Sequence, residues 1–177
     1  MNVPNLVTMS RFILAIAVFA LIGLGQPWAA FWVFLLAAST DWVDGWWARK
    51  YQQVTKLGRI FDPFVDKVII CGTFVFLAAE SGSGIVPWMA VLVLAREMFV
   101  TSLRGFIEQM GGDFSANWPG KWKMVLQCAA VGLSLLSMAF PAAGLTVPRD
   151  VSIYAAMALT IYSGAIYLAA AWKSIVA

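Results

Sequence analysis

Two aspartates that follow a long apolar stretch are the first residues in this sequence to suggest chemistry. Asp41 and Asp44 follow residues 28–40, a run with no charged side chain. Together with Gly45 and Ala48 they are spaced i, i+3, i+4, i+7, which places all four on one face of a helix. Because Gly and Ala have almost no side chain, that face leaves room for a bulky ligand beside the acids.

A second pair of acids follows on the next predicted helix. Asp62 and Asp66 lie four and eight residues after Gly58 and share a face with it. The connection between the two helices is short, so we expect them to run antiparallel and side by side. At 1.5 Å per residue, Asp44 and Asp62 lie roughly 6–8 Å inside their helix ends, and Asp41 and Asp66 roughly 12 Å. The four carboxylates are therefore predicted to converge.

Four carboxylates in one place repel one another unless some are protonated or cations neutralise them. The sequence contains no histidine, so a metal site must rest on oxygen ligands, which favour hard cations such as Mg²⁺ or Mn²⁺. Two divalent cations held by these four acids would form the kind of site that supports in-line phosphoryl displacement. The sequence therefore predicts two bound cations, Mg²⁺ or Mn²⁺.

The overall composition is that of a membrane protein. Hydrophobic residues make up 62% of the chain, charged residues 12%, and the mean hydropathy is +0.82, whereas soluble domains are about 45–50% apolar. The net charge of +3 would suit a nucleic-acid partner, but Lys and Arg beside apolar spans are better explained as topology signals. We predict an all-α, polytopic membrane protein with a single domain over residues 1–177 and no nucleic-acid partner.

Six apolar segments approach the length of about 20 residues that a membrane span requires. The predicted spans are Leu6–Leu24, Trp28–Arg49, Gly58–Ala79, Ile85–Ile107, Gly120–Phe140 and Val151–Trp172. Basic residues gather at the connections between spans two and three and between spans four and five, and the opposite side holds only Arg149. The positive-inside rule then places both termini and the four acids at the cytoplasmic face.

The acids could instead be structural, pairing with Arg49, Arg59 and Lys67 in a stabilising network. The small residues between the acids disfavour this interpretation, because ion pairs need no open space beside the backbone. A charge within a span also costs at least about 2.5–3.5 kcal/mol, and acids retained there are usually functional.

The two acidic helices resemble the signature of the CDP-alcohol phosphotransferase family. Residues 41–66 match D-x-x-D-G-x-x-A-R, eight intervening residues and G-x-x-x-D-x-x-x-D at every fixed position. The resemblance implies a six-span fold and the transfer of a phosphatidyl or similar group from a CDP-linked lipid to an alcohol, with release of CMP.

The same resemblance implies roles for single residues. Asp41, Asp44 and Asp62 would hold the two cations, and Asp66 would lie near the metals and act as the general base. The nucleotide or CDP-lipid would contact Asn5, Thr8, Asp41, Gly45, Ala48, Arg49 and Gly58. Capping of the first helix is an equally good account of Asn5.

The acceptor alcohol is expected to bind basic residues of the fourth and fifth spans. Arg96 and Arg104 lie eight residues apart, roughly on one side of a helix, and Lys121 and Lys123 open the next span. Together they suit an anionic acceptor such as a phosphate. The alternative is that Arg104, Lys121 and Lys123 only extend to the membrane surface and fix topology. That alternative is weaker for Arg96, which lies about two turns deeper.

Nearly the whole chain is similar to bacterial family members that use glycerol 3-phosphate as the acceptor. The likeness includes Pro4–Arg11, Ala95–Arg104 and Gly120–Lys123, whereas Met124 stands where many such members have threonine. It implies transfer from CDP-diacylglycerol to glycerol 3-phosphate by a homodimer in the bacterial inner (cytoplasmic) membrane, with the active site facing the cytoplasm.

Two other interpretations stay open. Within the family, the acceptor could be phosphatidylglycerol, inositol phosphate or serine, although the basic residues disfavour serine. Outside the family, the four acids could line the path of a cation transporter, but a transporter has no need of a nucleotide-sized hollow.

Overall fold

The computed structural model describes residues 3–51, 56–109 and 118–176. Within these ranges it leaves out the side chains of residues 3–7, 41–51, 56–60, 62, 108–109, 118–119, 121 and 172–176. Every regular element of the described chain is helical, which confirms the all-α prediction. The elements are α1 (Val3–Gly23), α2 (Pro27–Tyr51), α3 (Lys56–Ala78), α4 (Pro87–Gln109), α5 (Trp118–Ala139) and α6 (Thr146–Val176), with a short 3₁₀ helix at Pro141–Ala143.

Glycine and proline set the boundary between α1 and α2. Gly25 has a φ of +65°, a left-handed conformation that costs other L-residues roughly 1–2 kcal/mol. It follows α1 in a Schellman motif, because the amides of Gly25 and Gln26 donate to the carbonyls of Ile22 and Leu21, each at 2.9 Å. Pro27 then begins α2, where its missing N–H costs nothing.

Helix α6 begins earlier than the sequence pattern predicts. Residues 141–149 were expected to form a turn, but α6 already starts at Thr146. The reason is that Pro148 lies in the first helical turn, where the backbone N–H groups have no intrahelical acceptor in any case. A proline at this point therefore does not delay the helix.

The helices pack so that α1 contacts α2 and α3, α5 contacts α2 and α6, and α4 contacts α3 and α6. The described contacts do not include a direct one between α2 and α3, and both helices meet α1 instead. Fully buried side chains such as Val18, Phe74, Val93, Leu135 and Ile153 form one core shared by the helices. In a bundle surrounded by lipid, such side chains stabilise helix packing through close van der Waals contact rather than through removal from water.

The outer surface of the bundle is also apolar. Large exposed hydrophobic side chains occur on all six helices, including Ile13, Leu36, Phe64, Val91 and Val151. Two described segments, residues 122–139 and 146–171, are long and apolar enough to cross a membrane. Apolar side chains that face outward over so much of the surface are typical of a protein in contact with lipid.

Candidate active site

A cavity of about 290 Å³ opens where α3, α4, α5 and α6 meet. On each of the first three helices the lining positions recur at intervals of about one turn, which is the pattern of a single helical face. Six of the lining side chains are charged, four of them basic and two acidic. The lining residues are Pro63, Asp66, Lys67, Ile70, Arg96, Glu97, Val100, Thr101, Arg104, Gly120, Lys123, Met124, Gln127 and Tyr167.

Arg96 is held on three sides at the wall of this cavity. Its side chain is only 9% exposed, and it donates to Glu97 Oε1 and to Ser163 Oγ, each at 2.9 Å. The guanidinium carbon lies 5.7 Å from the centroid of the Tyr167 ring, within the range of a cation–π contact. Gly164 lets this side chain lie close to α6, since a Cβ there would be 3.4 Å from Arg96 Cγ.

The Nε of Arg96 is buried and has no hydrogen-bond partner among the described residues. A buried donor without a partner costs about 1–3 kcal/mol. The other two guanidinium nitrogens bond Glu97 and Ser163, and these contacts hold the side chain at the cavity wall in spite of that cost.

Glu97 joins two cations that come from different helices. Its carboxylate accepts from Arg96 of α4 and from Lys123 of α5. The side chains of Glu97 and Lys123 are 13% and 7% exposed. One turn deeper along α5, Gln127 donates to Thr160 Oγ1 of α6 at 3.0 Å. The polar wall of the cavity is therefore a network that connects three helices.

Asp66 lies in the same cavity and is paired with Arg11 of α1. The Arg11 side chain is only 4% exposed, and it donates to Oδ1 of Asp66. The Asp66 side chain is 28% exposed and is therefore accessible from the cavity. The alternative network considered from the sequence paired the acids with Arg49, Arg59 and Lys67, and the structure adds Arg11 of the first helix as a partner of Asp66.

The structure brings together four of the residues predicted from the sequence: Asp66, Arg96, Arg104 and Lys123 all line the one cavity. Thr8 of α1 is buried. The other predicted site residues are placed on their helices by the backbone alone. The second half of α2 contains Asp41, Asp44, Gly45, Ala48 and Arg49, and the first third of α3 contains Gly58 and Asp62. Asn5 lies near the start of α1, and Lys121 lies near the start of α5. The side chains of these residues lie outside the described part of the chain, so the convergence of the four acids stays a prediction.

Sequence reasoning missed several residues of the cavity. Glu97, Gln127 and Tyr167 line the cavity, and Ser163 accepts a hydrogen bond from its Arg96, yet none of the four belongs to the acidic pattern. A usable signal existed for Glu97, because it is an acid directly beside Arg96 within an otherwise apolar segment. Nothing in the local sequence indicates that Ser163 and Tyr167 meet Arg96.

The carboxylate donor set fits divalent cations by type, since hard cations prefer oxygen ligands. Within the described residues no cluster of three or more potential ligands is present. Of the four predicted ligands only the Asp66 carboxylate is described, and it lies at the cavity wall.

Comparison with known proteins identifies the family. The family model for CDP-alcohol phosphatidyltransferase matches residues 1–167. The chain belongs to the CDP-alcohol phosphatidyltransferase family. The match covers all six helices up to the Tyr167 that lines the cavity, so the four aspartates and the basic wall both fall within the family domain.

Named relatives cover nearly the full length. The chain is 31% identical over 181 residues to a CDP-diacylglycerol–glycerol-3-phosphate 3-phosphatidyltransferase of Yersinia pestis (strain Pestoides F), covering 99% of this chain and 97% of the relative. A relative of the same name in Bacillus subtilis (strain 168) is 31% identical over 197 residues, covering 98% and 97%. Another in Haemophilus influenzae is 31% identical over 136 residues, covering 74% of each chain.

Proposed function

We propose that this CDP-alcohol phosphatidyltransferase transfers the phosphatidyl group from CDP-diacylglycerol to glycerol 3-phosphate, giving phosphatidylglycerol phosphate and CMP. One observation carries the proposal: Asp66 of the acidic signature lines the same cavity as Arg96, Arg104 and Lys123. An acid able to take a proton and cations able to hold a phosphate therefore face one space. The names of the full-length relatives support the same reaction.

The charge of the cavity wall supports a phosphorylated acceptor. The α4 and α5 side of the lining has the three cations Arg96, Arg104 and Lys123 and the single carboxylate of Glu97, so that its net charge is 3 − 1 = +2. A phosphate monoester carries about −1.5 to −2 at neutral pH. A neutral or zwitterionic acceptor such as serine would leave this positive charge uncompensated, whereas glycerol 3-phosphate matches it.

The reaction we propose is a direct in-line displacement. The glycerol 3-phosphate hydroxyl attacks the lipid-side phosphorus of CDP-diacylglycerol, a new P–O bond forms, and the P–O bond to CMP breaks. Asp66 accepts the hydroxyl proton, and buried Arg11 orients its carboxylate. Arg96, Arg104 and Lys123 hold the acceptor phosphate, so that the reacting hydroxyl is already placed when the donor binds.

Two divalent cations, Mg²⁺ or Mn²⁺, complete the proposed site. Asp41, Asp44, Asp62 and Asp66 would hold them, and the chemistry they supply is neutralisation of the diphosphate charge. Gly45, Ala48 and Gly58 leave space for the nucleotide beside these acids. Arg49, Asn5 and Thr8 complete the proposed contacts to the nucleotide and lipid phosphates.

We further propose that all six helices span the bacterial inner membrane, with both termini and the active site at the cytoplasmic face, and that the protein is a homodimer. A cytoplasmic site suits two of the reactants, because glycerol 3-phosphate and CMP are water-soluble. The apolar outer surface of the bundle supports placement in a membrane.

The test is CMP release by the purified protein in detergent with CDP-diacylglycerol and Mg²⁺. Glycerol 3-phosphate, inositol phosphate, serine and phosphatidylglycerol are supplied in turn, and each reaction is repeated with a chelator. We expect release with glycerol 3-phosphate alone, loss of release on chelation, and recovery with Mg²⁺ or Mn²⁺.

Release with a different acceptor would keep the family reaction and reject the proposed acceptor. Full activity in the presence of chelator would reject the proposed cations. No release with any acceptor would contradict the proposal, and cation flux into proteoliposomes would then test the transporter interpretation.

A further inference from the structure

Glu97 lines the cavity but has no part in the proposed reaction. Glu97 places a carboxylate among the cations that would hold an anionic acceptor. We propose that Glu97 is a positioning residue, which fixes Lys123 and Arg96 so that their charges point at the acceptor phosphate. This inference rests on the proposed function and extends it to a residue that the acidic signature does not include.

The contacts of Glu97 show how it would act. Its Oε1 accepts from Arg96 on its own helix and from Lys123 on α5, so that it ties the two cation-bearing helices together beside the cavity. Arg96 has further contacts with Ser163 and Tyr167. The one hydrogen bond of Lys123 that the structure describes is the one to Glu97.

Burial makes this contact matter. The Lys123 side chain is 7% exposed, although a lysine near a helix end can usually extend its flexible stem toward water. A buried ammonium group needs a partner to stay charged. Glu97 supplies that partner when no acceptor is bound, and the cation is then already in place when the phosphate arrives.

A purely structural role is the competing explanation. A buried ion pair is often no more stabilising than well-packed apolar residues of similar volume. Stability alone is therefore a weak reason to place an acid and two cations at the wall of an open cavity. The two explanations differ in what they predict for substrate binding, and kinetics can separate them.

The experiment compares Glu97→Gln and Glu97→Asp with the wild-type protein. Gln keeps the size of the side chain and removes its charge, whereas Asp keeps the charge and withdraws it by one methylene group. Glu80→Gln is the matched control, because Glu80 lies after the end of α3 and does not line the cavity. The Michaelis constants for glycerol 3-phosphate and CDP-diacylglycerol are measured separately, together with kcat and the inhibition constant of inorganic phosphate.

We expect Glu97→Gln to raise the KM for glycerol 3-phosphate about tenfold, the lower end of the range for one lost hydrogen bond to a charged group, because Glu97 acts on the phosphate only through its partners. The inhibition constant of inorganic phosphate should rise by a similar factor. The KM for CDP-diacylglycerol and the kcat of this variant should stay within about twofold of wild type. The KM of Glu97→Asp for glycerol 3-phosphate should lie between those of wild type and Glu97→Gln, and all constants of Glu80→Gln should match wild type.

Three outcomes would overturn the inference. An unchanged KM for glycerol 3-phosphate would show that Glu97 does not act on acceptor binding, and a lower KM would show that its carboxylate competes with the phosphate. Equal increases in both KM values with a lower melting temperature would indicate a structural role. If Glu97→Gln does not fold, Glu97→Asp decides by the same split between the two KM values.

A second measurement separates this inference from the proposed function. If the wild-type protein releases no CMP with glycerol 3-phosphate, the proposed function fails, and binding of inorganic phosphate is then followed by the shift in melting temperature. Phosphate should stabilise the wild-type protein and the Glu80→Gln variant but not Glu97→Gln. Equal stabilisation of all three, or of none, would overturn the role of Glu97.

Discussion

Replacing Arg96 with lysine should separate the shape of this side chain from its charge. Lysine keeps one positive charge but has neither the planar fork nor the flat face of a guanidinium group. In the structure that fork reaches Glu97 and Ser163 at the same time, and its flat face lies over Tyr167. A single ammonium group cannot make these contacts and also hold a phosphate.

The size of the effect follows from these contacts. Loss of one charge-assisted hydrogen bond to the acceptor phosphate costs about 1.5–3 kcal/mol, which corresponds to a decrease of about 10- to 150-fold in kcat/KM for glycerol 3-phosphate. Loss of the contact with the Tyr167 ring should cost a further ~0.5–2 kcal/mol of stability. Arg96→Lys is therefore expected to be folded, slightly less stable and strongly impaired toward the acceptor.

The assay is CMP release with glycerol 3-phosphate varied at saturating CDP-diacylglycerol, alongside a thermal melt of each variant. Arg149→Lys is the matched control, since Arg149 also pairs with a neighbouring acid and contacts a second segment, but at the opposite end of α6 from Tyr167. It should lower stability without changing the KM for glycerol 3-phosphate. A value of kcat/KM for Arg96→Lys within about threefold of wild type would refute the assignment of Arg96 to the acceptor phosphate.

Two further predictions test the base and a structural contact. Asp66→Asn should abolish CMP release, because the amide cannot take the hydroxyl proton. It should also lower the melting temperature, because buried Arg11 loses its carboxylate partner. Retained turnover in the assay would rule out Asp66 as the base. Gly84→Ala should destabilise the protein by about 1–2 kcal/mol or more without changing kcat. The reason is that Gly84 has a φ of +75° and that a Cβ there would be 2.6 Å from Arg149 Nε. A melting temperature equal to that of wild type would contradict this account.

The sequence alone predicted most of the helical framework. Each helix is a long apolar segment, and the connections between them contain glycine, proline or polar residues, so local composition is enough to locate both. The start of α6 was wrong by several residues because Pro148 was taken as part of a turn, although the first turn of a helix tolerates proline.

The sequence also led to predictions about the chemistry of the site, and those on the cation ligands and the acceptor contacts stay predictions. The spacing of the four aspartates indicated a site with divalent cations, and the basic residues of α4 and α5 indicated an anionic acceptor. Spacing of this kind is a property of single helices, and it can be read without knowing how the helices pack. The structure then brings Arg96, Arg104 and Lys123 to the cavity that contains Asp66.

Only the tertiary structure decided which side chains from distant helices touch. Arg11 meets Asp66 across 55 residues of sequence, Lys123 meets Glu97 across 26, and Arg96 meets Ser163 across 67. A sequence pattern determines which face of a helix carries a residue, because the helical repeat is local. Which faces then pack together depends on how all six helices bury their apolar surfaces at once, and no single segment contains that information.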